Sequence, residues 1–240
     1  MTFRHLRLIA VNIDGVLLND TFSPVIHRFV VRRGGQYTAE LERAVLSQPQ
    51  LRAAAALDLP GPPEEIVAEY FRERAAYLEE HPVRVLDGAG ALLERLRATG
   101  ARMVCYGGLG RGHFDEHLAP YARYFDGPGY VCTDAFRPGV REISEDIFGV
   151  RPDQALFVDD VARVAEAARE LGAAFVGHPT TYEHSFQREL MRRAGVRHLV
   201  DSLAGIDEEL LRTVDEEAAR GAQWGAADKG AGGRPARASA

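Results

Sequence analysis

Lysine is nearly missing from this chain of 240 residues: of 29 basic residues only Lys229 is a lysine, close to the C-terminal end. Any step in the body of the protein that needs a cation must use arginine, which stays protonated and does not shuttle protons. Cysteine is scarce as well. Cys105 and Cys132 make neither a disulfide framework nor a zinc-ligand spacing, so a reduced, cytoplasmic protein is expected. No run approaches the ~18 apolar residues of a membrane span, and the N-terminus, with Arg4 and Arg7, has no apolar stretch ending in a cleavage site, so neither insertion nor export is expected. There is no excess of positive charge. The net charge of −6 removes the electrostatic footprint of a nucleic-acid binder. What remains is 46% hydrophobic and 27% charged, a composition that builds one substantial core with room for a small accessory domain.

The first ordered feature is the apolar run Leu8 to Val11, which does not alternate with polar residues and is too short for a helix. It reads as a buried strand of a parallel sheet. The run ends on Asn12-Ile13-Asp14-Gly15, which places polar side chains at the carboxyl edge where open α/β sheets bind ligands. Residues 19–82 then carry helical periodicity. Val25 to Val31 is a short strand or helix, Thr38 to Leu46 and Gln50 to Leu57 are helix-like with Pro49 between them, and Pro63-Glu64-Glu65 opens a helix whose apolar stripe runs through Ile66, Val67, Tyr70 and Phe71. Strand and helix alternate afterwards. Ala101 to Tyr106, Tyr130 to Thr133, Ala155 to Val158, Ala173 to Val176 and His198 to Val200 read as strands, with a helix from Val140 to Phe148, another on the stripe Val161, Val164, Ala165, Ala168 and Leu171, and a last one from Ile206 to Val214. From Glu216 on the chain is rich in Ala, Gly and Arg, so residues 215–240 are expected to form a disordered tail in which Trp224 is either a partner-binding anchor or incidental.

The strand followed by Asn12-Ile13-Asp14-Gly15-Val16-Leu17, the helical insertion, Val83 to Gly88 leading into a Leu-rich helix closed by Gly100, and a strand ending on Asp159-Asp160 resemble, in that order, the haloacid dehalogenase superfamily. The resemblance spans about residues 5–214. It implies an α/β fold, a Rossmann-like parallel sheet formed by 1–18 and 83–214, with a small helical cap, 19–82, inserted after the first strand. It further implies transfer of a phosphoryl group to an Asp carboxylate, hydrolysis of that aspartyl phosphate, a second Asp as acid/base, Mg²⁺, and a Lys and a Ser or Thr on the phosphate oxygens.

This chain departs from that pattern at several slots. Asn12 stands in the nucleophile slot, and a neutral amide cannot form an acyl phosphate. Asp14 keeps the acid/base slot, and as part of Asp14-Gly15 it is otherwise an ordinary turn residue. Cys105, Tyr106 and Gly107 stand where a hydroxyl residue would bind phosphate; Cys105 is a poor donor and reads equally as a small buried hydrophobe. Arg137, before Pro138, takes the lysine slot, where its guanidinium can fork onto phosphate, or it is a surface arginine beside a turn. Asp159 and Asp160 match the paired acids and, with Asp14, are candidate ligands of a weak Mg²⁺ site, or they cap the following helix. The supporting acid expected a few residues on is replaced by Val164. His113, His117, His178 and His184 fix no ligand set by spacing, and solvated histidines are expected there. The reading is a catalytically degenerate member that binds a small phosphorylated ligand or a protein partner as an accessory protein, with the aspartyl-phosphate mechanism lost. The alternative is a Mg²⁺-dependent hydrolase or phosphatase of a phosphorylated small molecule, working slowly and without a covalent step.

Overall fold

The computed structural model describes residues 1–226. Six strands form one parallel sheet: β1 (Leu8–Asn12), β2 (Arg102–Gly107), β3 (Tyr130–Cys132), β4 (Ala155–Asp159), β5 (Ala174–Gly177) and β6 (His198–Leu199), in the order β3-β2-β1-β4-β5-β6. All five residues of β1 are buried, because it is central and covered on both faces. Ile9 and Val11 point to a cluster that includes Leu92, Leu96 and Phe114, whereas Leu8 and Ala10 point to one that includes Val164, Ala165 and Ala168. This is the two-sided burial that makes a parallel strand apolar throughout.

Four helices lie between β1 and β2 before the core resumes: α1 (Ser23–Arg32), α2 (Ala39–Val45), α3 (Gln50–Ala56) and α4 (Pro63–Glu80). The Val25 to Val31 stretch is thus helical, and Asp20 Oδ1 caps it by accepting from the backbone N–H of Phe22 and Ser23. Thr38 Oγ1 caps α2 through Leu41 N. The chain enters and leaves this insertion side by side, with Asn19 N donating to Arg84 O at 3.0 Å and Leu86 N to Leu17 O at 2.9 Å.

The core continues with α5 (Ala89–Arg97), α6 (Arg111–Leu118), α7 (Ala162–Leu171), α8 (Gln187–Arg193) and α9 (Glu208–Arg220). The helix expected over 140–148 is a π-helical turn at Glu142–Ile147. No helix among the described residues is long and apolar enough to cross a membrane.

The expected tail from 215 needs correction. Residues 215–220 complete α9, which ends at Gly221 in the left-handed conformation that favours glycine. Asp215 is buried and its carboxylate accepts from the backbone N–H of Arg4, His5 and Leu6. Trp224 is packed rather than loose: its Nε1 donates to Ala173 O at 3.0 Å and its ring stacks on Phe175 at 6.1 Å. Residues 227–240, the rest of that expected tail, lie outside the described residues.

Candidate functional site

The loop after β1 is set by backbone geometry. Leu17 N and Leu18 N both donate to Ile13 O, and Gly15 takes φ +82°, where its N–H reaches Leu18 O at 2.9 Å. Glycine is needed there for a second reason. A Cβ on Gly15 would lie 2.2 Å from Asp160 Oδ2, so the loop rests directly on the carboxylate at the end of β4.

That closeness organises the edge of the sheet. Asn12, buried at the end of β1, donates through Nδ2 to Asp160 Oδ1 at 2.8 Å and to Asp14 O at 2.7 Å. Asp159 accepts from Val161 N through Oδ1 and from the Tyr106 hydroxyl through Oδ2. Burial raises the Asp159 carboxyl to about 6 while the Tyr106 and Val161 hydrogen bonds oppose it. Asp160 is pushed well above the carboxylate range, first by burial and then by the charge of Asp159. Burial thus moves both acids at the end of β4 toward their neutral forms, Asp160 further than Asp159, whose charge adds to that shift.

The structure changes several of the roles expected from sequence. Cys105 is fully buried in the cluster on the α5 and α6 side of the sheet, and burial pushes its thiol pKa up, so it is not a phosphate contact. Tyr106 faces the opposite side of the sheet and spends its hydroxyl on Asp159. Gly107 is packed against Ile13, whose Cγ2 would lie 2.4 Å from an added Cβ; its neighbour Gly108 is the one that borders the chamber described next. Asp159 is turned inward. A strand's alternating period sends Cys105 and Tyr106 to opposite faces, a consequence that assigning roles by motif position does not register.

A chamber of about 140 Å³ lies between the insertion and the carboxyl edge of the sheet. Its floor holds Asn12, Asp14, Asp160 and Arg137, and most of its wall comes from α1 to α4. Arg137 lies over Gly108, where an added Cβ would be 2.4 Å from Nη1, so a side chain at 108 would make the guanidinium shift from this position.

One pairing escaped the sequence reading. His113, at the start of α6, places Nε2 2.8 Å from Asp14 Oδ1, with both side chains largely buried. A carboxylate only accepts, so this nitrogen carries the hydrogen. His113 is therefore not a solvated helix histidine, and His178 is not either: its Nδ1 lies 2.8 Å from Gly15 O, and burial lowers its pKa. A helical spacing from His113 to His117 was the visible signal; the partner 99 residues upstream was not.

The Mg²⁺ implied by the resemblance does not fit these residues. The amide N–H groups of Asn12 point at Asp14 O and Asp160 Oδ1, the oxygens a cation at this edge would need. Asp14 Oδ1 is taken by His113 and both oxygens of Asp159 are engaged. No three His, Cys, Asp or Glu side chains converge as a ligand set among the described residues. The expected ligand set of Asp14, Asp159 and Asp160 is not assembled.

No protein-family model and no curated protein matches the sequence. Solved structures do match the fold. A haloacid dehalogenase-like protein of unknown function from Agrobacterium tumefaciens is 18% identical, with 87% of this chain and 99% of that one covered and a TM-score of 0.58. A phosphonoacetaldehyde hydrolase-like protein from Oleispira antarctica is 14% identical over 92% of this chain and 97% of that one, with a TM-score of 0.65. The β-phosphoglucomutase of Clostridium difficile is 12% identical over 90% and 99%, with a TM-score of 0.62. The chain has the haloacid dehalogenase-like fold, an α/β Rossmann-like sheet with helices on both faces.

Proposed function

We propose that this haloacid dehalogenase-like chain is a hydrolase of a phosphorylated small molecule that activates water directly, without an aspartyl-phosphate intermediate. The observation that carries it is Asp14, on the chamber floor with Oδ1 held by His113 and with Arg137 in the same chamber. Arg137 binds the phosphoryl oxygens by its fork of N–H donors. Asp14 takes a proton from a water whose oxygen attacks phosphorus; the bond from phosphorus to the ester oxygen breaks, and that leaving oxygen, on the opposite side of phosphorus, takes its proton from solvent while Asp14 releases its own. His113 orients Asp14 and is a positioning residue. Burial and the charge of Asp159 favour the uncharged form of Asp160, which lowers the repulsion that an incoming phosphate would meet. The fold shared with a phosphonoacetaldehyde hydrolase-like protein and a β-phosphoglucomutase supports the same class.

A second reading, binding without turnover, is favoured by the Asn12 amide, which fastens the nucleophile position to Asp14 and Asp160. A phosphatase panel on wild type, Asp14→Asn and Asn12→Asp separates the two. Slow turnover in wild type that falls by roughly 10²–10⁴-fold in Asp14→Asn is expected, the usual contribution of an acid/base group. Equal turnover in wild type and Asp14→Asn overturns the assignment of Asp14. Phosphate esters that bind to wild type and are never turned over leave the binding reading in its place.

A further inference from the structure

The chamber walls and the cation on its floor together describe a ligand. The insertion contributes Ile26, Val45, Ala53, Leu57, Ile66 and Phe71 to the wall, an apolar surface on which a sugar hydroxyl would lose its hydrogen bonds to water. A volume of about 140 Å³ is close to that of an apolar cavity that accepts benzene, about 150 Å³. The wall also carries polar side chains, among them Asp20, Ser23, Gln48 and Gln50. Asn12 Oδ1, Asp20 Oδ2, Ser47 Oγ, Tyr70 OH and Arg137 Nε are buried side-chain atoms with no hydrogen-bond partner among the described residues, and all five residues line this one chamber. Ser47 is 3% exposed and Asn12 4%. Ser47 also holds φ +57°, a costly conformation for a residue other than glycine. Each of the five polar atoms is covered by neighbouring protein atoms and is not open to the chamber, so what the chamber presents beyond its floor is mostly apolar surface.

These features divide the chamber. At the floor are a cation, Arg137, and the acid/base Asp14; beyond them the wall is mostly apolar, with Ser23, Gln48 and Gln50 interspersed. Burial pushes the Tyr70 phenol upward; Arg74 opposes this, and Asp20 and Asp14 add to it, so its hydroxyl stays protonated and lies within the field of the floor carboxylates.

We infer that the chamber selects the phosphate ester of a small aryl or branched-alkyl alcohol over sugar and polyol phosphates, with the phosphoryl group at Arg137 and the apolar body between α1, α3 and α4. The chemistry of this assignment rests on the hydrolase reading above, while the shape and polarity of the chamber are independent of it.

Calorimetric titration of wild type with phenylphosphonate, methylphosphonate and glucose 6-phosphate, beside turnover assays with phenyl phosphate and glycerol phosphate, tests it. Phenylphosphonate is expected to bind at least roughly tenfold tighter than either of the other two, a discrimination that an apolar pocket can supply. Ala53→Phe, which fills the wall, is expected to erase that preference with the circular-dichroism melt intact; should this variant not fold, the wild-type ratio decides alone. Equal or tighter binding of glucose 6-phosphate or methylphosphonate, or no binding of phenylphosphonate, overturns the inference, as does a folded Ala53→Phe that keeps the preference. Tight phenylphosphonate binding without hydrolysis of phenyl phosphate upholds the ligand class and removes the hydrolase reading, so the two fail separately.

Discussion

At the residue scale the site depends on what is missing at position 15. With φ +82° and Asp160 Oδ2 2.2 Å from where a Cβ would sit, Gly15→Ala meets both a left-handed backbone penalty and a collision with a buried carboxylate. A loss of about 2–4 kcal/mol is expected, seen in calorimetry as a melting temperature lower by roughly 5–15 °C. An unchanged melt would mean that the loop and Asp160 do not bear on one another as described. Residue identity also explains which parts of the site were legible. Asn12, Asp14 and Asp160 border one chamber, as their place at the ends of β1 and β4 suggests, because strands of a parallel sheet all deliver their carboxyl ends to one edge; Arg137 reaches the same chamber from the loop beyond β3. His113 was hidden because its pairing with Asp14 joins residues 99 apart, and helical spacing carries no information about a contact at that distance. Cys105 and Tyr106 were misplaced because the motif names a position in the chain and not a face of the strand.

At the element scale, the insertion is fastened to the core by α2. Glu42 is fully buried and accepts from Ser185 Oγ at 2.7 Å and from Phe186 N at 2.6 Å, while Arg43 forks onto Glu166 of α7 at 2.7 and 2.6 Å. The second pair is exposed and worth about 0.2–1 kcal/mol; the first is buried and matters more. Burial raises the Glu42 carboxyl above its ordinary 4.5, with the Ser185 and Phe186 hydrogen bonds opposing. The folded state therefore binds the proton more tightly than the unfolded chain. Stability from this group is complete below pH 4.5 and is lost as pH rises through the folded value, with a slope approaching about 1.4 kcal/mol per pH unit inside that window. Glu42→Gln mimics the neutral form. Urea denaturation from pH 4.5 to 7.5 is expected to show the variant gaining on wild type as pH rises, and a pH-independent difference would sink the assignment. The four helices of the insertion were readable from Pro63, the acids after it and the periodicity of α4. Their attachment was not, since Ser185 and Phe186 belong to a loop with no pattern of its own.

At the scale of the whole molecule, the C-terminal segment closes the edge of the sheet. Trp224 bridges Val196 and reaches Ala173 and Phe175, about 50 residues earlier; a composition rich in Ala and Gly concealed this because packing against a distant strand leaves no local periodicity. Trp224→Ala is expected to cost about 1.5–3 kcal/mol, measured as a lower denaturation midpoint with an unchanged slope. A cost under about 0.5 kcal/mol would return Trp224 to the status of an incidental residue. The sheet itself was the most legible part of the chain, because six short apolar runs separated by helical periods admit few arrangements. The chamber has the widest consequence. Because the chamber exists only when the insertion is folded onto the sheet edge, folding and occupancy are thermodynamically linked: a ligand that fills it stabilises the native state by RT ln(1 + [L]/Kd), about 2.7 kcal/mol at a hundredfold excess over Kd. The ligand of this protein is thus a component of its folding equilibrium, and a library of small phosphate esters ranked by the heat resistance they confer is ranked in the order of their affinity.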